Sequence, residues 1–328
     1  MSFKDVLGHT KPIELLKRAV KKDKMAQSYL FVGNEGIGKK WVALQFAKLL
    51  NCLEAGSALR DACDRCVSCR KINDHVHPDV LLLEPEGQTL KVEQVRQMQR
   101  DLAYRPYEGK YRICILSAAD RMAPNMSNTL LKTLEEPPLR TVLILLANSP
   151  RLLLPTILSR CQPIRFSPLS IPVVTGWLTD KKGLEPAEAH LLASLSEGSI
   201  GKALEIRDEI REVPRRELFE SLVGLPKVSF EKKDRLLEAL PSQRESLLLI
   251  LEVMKTLVRD LLITKIVKRD PILIHGDLRS LMEKLASTWT IPALLKRIET
   301  LHRTALAVRS NANTTLALEA MMLSWAEG

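Results

Sequence analysis

The chain has 328 residues, 45% hydrophobic and 27% charged, with Lys and Arg exceeding Asp and Glu by 49 to 39 for a formal charge of +10. That is the composition of an ordinary soluble protein with room for two or three domains and a sizeable core. No signal-peptide stretch opens the sequence MSFKDVLGHTK, and the most apolar later runs, 142–147 and 247–251, are too short to span a bilayer, so a cytoplasmic protein without a membrane partner is expected. The basic excess favours an acidic partner such as nucleic acid, although 4% aromatic residues give little sign of a base-stacking platform.

Apolar periodicity predicts a helix over 12–20, and a buried run over 29–32 follows, ending at the glycines Gly33, Gly36 and Gly38. Further strand-type runs lie at 80–83, 113–116, 142–147 and 164–166, with helical patterns between them at 92–102 and 126–134. Strands alternating with helices predict an α/β fold with a parallel sheet covered on both faces. Beyond Phe166 the strand signals stop, and Ser167-Pro168 with Ile171-Pro172 reads as a linker into helical sequence. The turn at 198–201 and the breaks at Pro214 and Pro226 divide that sequence into a small and a larger unit. The run 247–267, interrupted by Glu252, Lys255, Arg259 and Asp260, suits a helix packed in a bundle or against partners.

Gly33-Asn34-Glu35-Gly36-Ile37-Gly38-Lys39-Lys40 has the spacing of a P-loop and lies between a strand and a helix. The glycines let backbone N–H groups close around phosphate oxygens, and Lys39 supplies a point charge. Lys40 stands where a hydrolysing loop has a Ser or Thr hydroxyl on magnesium, and an ammonium has no lone pair to offer a metal. The strand 112–116 should end in an acidic pair but runs into Ser117-Ala118, so both the second metal ligand and the base are missing. Asp120, three residues beyond Ser117, reads as a turn or capping residue of the segment it begins. Hydrolysis is therefore not expected, while ATP or ADP binding is left open.

Cys52, Cys63, Cys66 and Cys69 form C-x10-C-x2-C-x2-C, a metal signal in a reducing compartment where disulfides do not persist. Four thiolates complete tetrahedral zinc without an open position, so the site is expected to be structural. His75 and His77 are then surplus, and Cys114 and Cys161 read as small buried side chains.

These segments, with 3–8, the stretch Asn128-Thr129-Leu130-Leu131-Lys132-Thr133-Leu134-Glu135-Glu136-Pro137-Pro138, the motif Ser159-Arg160-Cys161 and a fainter match over 311–319, resemble the bacterial clamp-loader family of AAA+ proteins. The resemblance implies an AAA+ domain over 1–166 with a zinc module inserted at about 52–69, a helical lid over 167–210 and a helical collar over 211–328. It also implies that Arg160 enters the ATP site of an adjacent subunit as an arginine finger, a role suited to a planar, permanently charged guanidinium. The plain alternative is a surface arginine paired with a local carboxylate. The family's sensor arginine would fall at Gly201 and is absent, and Lys202 is out of register to replace it. Keeping the trans-acting arginine and the cysteines while losing its own catalytic groups is the profile of the family's non-hydrolysing member. The implied partners are tau/gamma and delta subunits, a sliding clamp and primed DNA. The rival reading is an ATP-hydrolysing subunit of the tau/gamma kind.

Overall fold

Strand alternation decides how the N-terminal part of the chain is layered. A computed structural model describes residues 2–54, 61–85, 90–122, 124–224, 240–241, 243–267 and 269–326. The break read at Pro226 and the middle of the cysteine module, 55–60, lie outside them. Strands β1 (Ser28–Val32), β2 (Val80–Leu83), β3 (Arg112–Leu116), β4 (Thr141–Ala147) and β5 (Gln162–Arg165) pair in parallel in the order β2-β3-β4-β1-β5. Successive side chains point to opposite faces. Tyr29, Phe31, Ile113, Ile115, Val142, Ile144 and Leu146 thus join a core with α1 (Thr10–Lys21) and α2 (Lys39–Asn51). Leu30, Cys114, Leu116, Leu143 and Leu145 face the other way, against α4 (Val92–Leu102) and α5 (Pro124–Glu135). Both faces are covered, so the central strands read as continuous apolar runs rather than alternating ones.

The edge strand departs from expectation. Strand β5 begins at Gln162, two residues before the predicted run, because an outer strand needs only Ile164 buried and tolerates Pro163, whose missing N–H faces no neighbour. Between α2 and β2 lies the short helix α3 (Val67–Asn73), and α6 (Pro155–Leu158) leads into β5.

The chain divides into two compact units, Met1–Leu169 with Ser199–Gly201, and Ser170–Gly198 with Lys202–Gly328. The helices that follow β5 are α7 (Ile171–Lys182), α8 (Pro186–Leu195), α9 (Ile200–Glu205), α10 (Arg207–Glu212) and α11 (Arg215–Gly224). Then come α12 (Arg244–Ile266), α13 (Arg279–Ala286), α14 (Ile291–Arg309) and α15 (Thr314–Ala326). In α12, Leu247, Leu251, Met254, Leu257 and Leu261 are buried at helical spacing. Asp260 on the same helix is also fully buried, satisfied by the His275 backbone N–H at 2.8 Å and by Arg259 at 2.6 Å. His275 Nε2 lies 2.9 Å from Thr256 Oγ1, and burial pushes the imidazole down to about 3. No helix among the described residues is long and apolar enough to cross a membrane.

Candidate nucleotide loop, cysteine centre and Ser-Arg-Cys motif

The glycine loop follows β1 at the carboxyl end of the sheet, where parallel α/β folds place their ligand sites. Gly36 and Gly38 take φ of 68° and 109°, conformations that L side chains rarely adopt, and Gly38 caps α2. Lys39 is turned back on the loop: its Nζ donates to the carbonyls of Gly33 and, at 2.8 Å, Asn34, and to Asn148 Oδ1 at 3.0 Å. Burial lowers its pKa to about 8 against the opposing pull of Asp120 and Glu35.

Several groups of the loop and around it are engaged as well. Lys40 pairs with Glu84 at 2.8 Å, just past β2, and Glu35 pairs with Arg121 at 2.9 Å. His9 Nε2 donates to the Ile37 carbonyl at 2.9 Å. The Gly201 N–H donates to the Gly36 carbonyl at 3.0 Å, and a Cβ at 201 would lie only 2.7 Å from Gly36 Cα. Only glycine allows that approach. The position expected of a sensor arginine is thus a backbone contact on the loop itself.

At the end of β3, Ser117 donates its N–H to the Leu83 carbonyl at 2.9 Å and its buried hydroxyl has no partner among the described residues, while Ala118 carries no base. Asp120 lies in the short 3-10 turn Ala119–Arg121, as its sequence position suggested, but its carboxylate does not cap that turn. Its Oδ2 accepts the N–H groups of Asn148 (2.9 Å) and Ser149 (3.2 Å), so it fastens the turn after β4 across the sheet. Asn148, Glu84 and His9 were not legible as site residues. Asn148 had a usable signal, being the first polar residue after the apolar run of β4, whose Ala147 is in register with Val32 of the glycine-loop strand.

The four cysteines converge, with their Sγ atoms all within 4.8 Å of one another. Backbone N–H groups point at the sulfurs: Cys63 N at Cys52 Sγ (3.5 Å), Cys66 N at Cys63 Sγ (3.3 Å) and Cys69 N at Cys66 Sγ (3.4 Å). The last of these makes Cys66 the N-cap of α3. Burial works to raise the Cys66 thiol, but the N–H groups of Cys69 and Leu53 outweigh it and bring it to about 7, whereas burial drives Cys69 upward. Donors aimed at sulfur favour thiolates, and a compact set of four, three buried and Cys63 half-buried, is an arrangement a tetrahedral metal ion takes. Lys48 on α2, fully buried, holds Asp64 of the module at 2.5 Å. His77 stays outside the cluster, bonded to Ser68 Oγ at 3.2 Å. Cys114 and Cys161 are buried apart from it, each thiol pushed up to about 12 by burial.

The three residues of Ser159-Arg160-Cys161 divide the work of placing one guanidinium. Cys161 is buried in the core beneath α5 and α6. Ser159 Oγ donates to the Thr156 carbonyl at 3.1 Å and accepts from Arg160 Nη1 at 3.2 Å. Arg160 Nη1 also donates to the Thr156 carbonyl at 2.9 Å, and Nη2 pairs with Glu135 at 2.7 Å. About a third of the Arg160 side chain, 35%, remains exposed.

A five-stranded parallel sheet in this order, with a glycine loop after its fourth strand in space and helical sequence beyond, defines an AAA+ P-loop protein. Comparison with known proteins narrows the class. Family models described as DNA polymerase III, delta subunit, and DNA polymerase III, delta subunit, C terminal, match residues 8–170 and 214–327. The DNA polymerase III subunit delta' of Bacillus subtilis is 30% identical over 325 residues, covering 96% of this chain and 95% of that protein. The subunit delta' of Pseudomonas aeruginosa is 37% identical over 177 residues, 53% of each chain. The chain belongs to the DNA polymerase III delta' family. DNA polymerase III subunit tau of Escherichia coli is 31% identical over 213 residues, 63% of this chain but only 33% of that protein.

Proposed function

We propose that this chain is the non-hydrolysing delta' subunit of a bacterial clamp loader, working in the cytoplasm with tau/gamma and delta subunits to place a sliding clamp on primed DNA. The observation that carries this reading is the contrast between two sites. Around the glycine loop the groups for hydrolysis are missing: Lys40, at the magnesium position, is an ammonium paired with Glu84, the sensor-arginine position is Gly201 with its N–H on the Gly36 carbonyl, and Ser117 and Ala118 supply no carboxylate. At the Ser-Arg-Cys motif, by contrast, the group that a trans-acting role needs is kept: the Arg160 guanidinium is held by Thr156, Ser159 and Glu135 with a third of its side chain exposed. A chain that has lost its own hydrolytic groups and keeps a partly exposed arginine in this motif is equipped to act on a neighbour's nucleotide.

Cys52, Cys63, Cys66 and Cys69 would hold zinc, which fits four thiolates in a closed tetrahedron and brings structural stability rather than Lewis-acid chemistry. The similarity to tau subunits raises the rival reading of a hydrolysing ATPase; the Lys40–Glu84 pair weighs against it, since an ammonium at that position repels magnesium.

The test is reconstitution with tau/gamma and delta subunits, comparing wild type with Arg160→Ala at matched subunit content. An arginine finger is worth about 10³ to 10⁵ in rate at one site in other phosphoryl-transfer systems, diluted where several sites share an assembly. The Arg160→Ala loader should assemble normally yet lose clamp- and DNA-stimulated ATP turnover. Equal activity would remove the trans-acting role.

A further inference from the structure

We infer that Glu135 is a positioning residue for Arg160, so that the Leu-Glu-Glu-Pro-Pro segment at the end of α5 and the Ser-Arg-Cys motif form one device. This inference rests on the reading that Arg160 acts on a neighbouring nucleotide. Twenty-five positions separate the two residues in sequence, and the fold brings Glu135 Oε1 to 2.7 Å from Arg160 Nη2. Glu135 is the last residue of α5, where Pro137 and Pro138 forbid another turn. A carboxylate at a helix C-terminus sits at the negative end of the macrodipole, so a cation beside it is favoured twice, by the charge and by the helix.

The geometry fixes more than distance. A guanidinium offers five N–H donors. On Arg160 the contacts to Thr156 and Ser159 engage Nη1, and the pair with Glu135 engages Nη2, so the planar group is gripped from two sides and, among the described residues, Nε is left over. With the side chains of Arg160 and Glu135 35% and 49% exposed, the pair contributes little to the stability of the fold. What it does restrict is the rotamer of a long, flexible side chain. A preset guanidinium loses less freedom on meeting an anion than one that must be ordered on arrival. Glu135 also shares its acceptor with Arg160 through one oxygen only, leaving donors of the fork for a phosphate oxygen.

The experiment is a double-mutant comparison in the reconstituted loader, with Glu135→Ala, Glu135→Gln, Arg160→Ala and the Glu135→Ala/Arg160→Ala pair, each matched for subunit content by gel filtration. Glu135→Ala should lower the clamp- and DNA-stimulated kcat about two- to fivefold, the scale of one exposed charged pair, with KM for ATP unchanged. Glu135→Gln, which keeps an acceptor, should recover part of the loss. The double variant should equal Arg160→Ala alone, because Glu135 has nothing to position once the arginine is gone. If Arg160→Ala abolishes stimulation while Glu135→Ala is fully active, the positioning role falls and the trans-acting reading stands. If Arg160→Ala is itself without effect, both fall. A Glu135→Ala loss that persists in the Arg160→Ala background would overturn the inference by showing that Glu135 acts through something else.

Discussion

Replacing Gly201 with alanine sets a methyl group against the glycine-loop backbone. An ideal Cβ at 201 would lie 2.7 Å from Gly36 Cα, 3.0 Å from its carbonyl oxygen and 3.3 Å from its carbonyl carbon, against about 3.5–4.0 Å for comfortable carbon contact. The obstacle is backbone, which cannot swing aside as a side-chain end would. Relief requires the two segments to separate, and the hydrogen bond from Gly201 N–H to the Gly36 carbonyl, now 3.0 Å, is then strained or broken. Overpacking of this kind costs about 1–3 kcal/mol and the lost bond about 0.5–1.5 kcal/mol. Alanine in α9 gains up to about 1 kcal/mol in helix propensity, so the clash wins and a net loss of about 1–3 kcal/mol is expected. Gly176 is the control, since it also lies within a helix but nothing stands within 4 Å of its Cβ position. Urea unfolding should show Gly201→Ala destabilised and Gly176→Ala unchanged or slightly stabilised, and hydrogen exchange at Gly201 should quicken only in the former. Equal stability of the two variants would refute the close contact on the loop.

Three further outcomes are expected. Protein purified without chelator should contain close to one equivalent of zinc, and Cys66→Ser should lose it and destabilise the module around α3, read by metal analysis and thermal unfolding, since a structural four-thiolate site contributes folding energy directly. Lys40→Thr restores a hydroxyl and removes the partner of Glu84 but should give no magnesium-dependent ATP turnover, because Ser117 and Ala118 still provide no carboxylate; steady-state hydrolysis by the isolated variant checks this. His275, whose pKa is lowered from 6.5 to about 3 by burial, makes the C-terminal unit acid-sensitive. The unfolded chain takes up this proton near pH 6.5 and the folded chain only near 3, so stability falls as pH drops through that window, by about 2 kcal/mol between pH 7 and pH 5. Denaturant titrations at the two pH values should show the loss, and His275→Gln should flatten it.

The sequence by itself determined the sheet and its chemistry-bearing segments. Apolar runs buried on both faces, such as 142–147, have no other stable home than a covered parallel sheet, and the glycine spacing at 33–38 fixes a loop between strand and helix. The losses at Lys40, Ser117 and Ala118 were equally plain, because each removes a functional group whatever the backbone does. Four cysteines at short spacing predicted a cluster, since local chain alone brings Cys63, Cys66 and Cys69 together. Only the tertiary structure decided what the remaining polar residues touch. Asp120 reached across to the N–H groups after β4, Lys40 found Glu84 beyond a neighbouring strand, and Glu135 met Arg160 from another helix end. Those pairings join residues 25 to 44 positions apart, and no periodicity or spacing rule encodes which polar ends a folded sheet brings within 3 Å. Gly201 shows the same limit most sharply: in sequence it marks a missing arginine, and only the packed backbone shows why no side chain fits there.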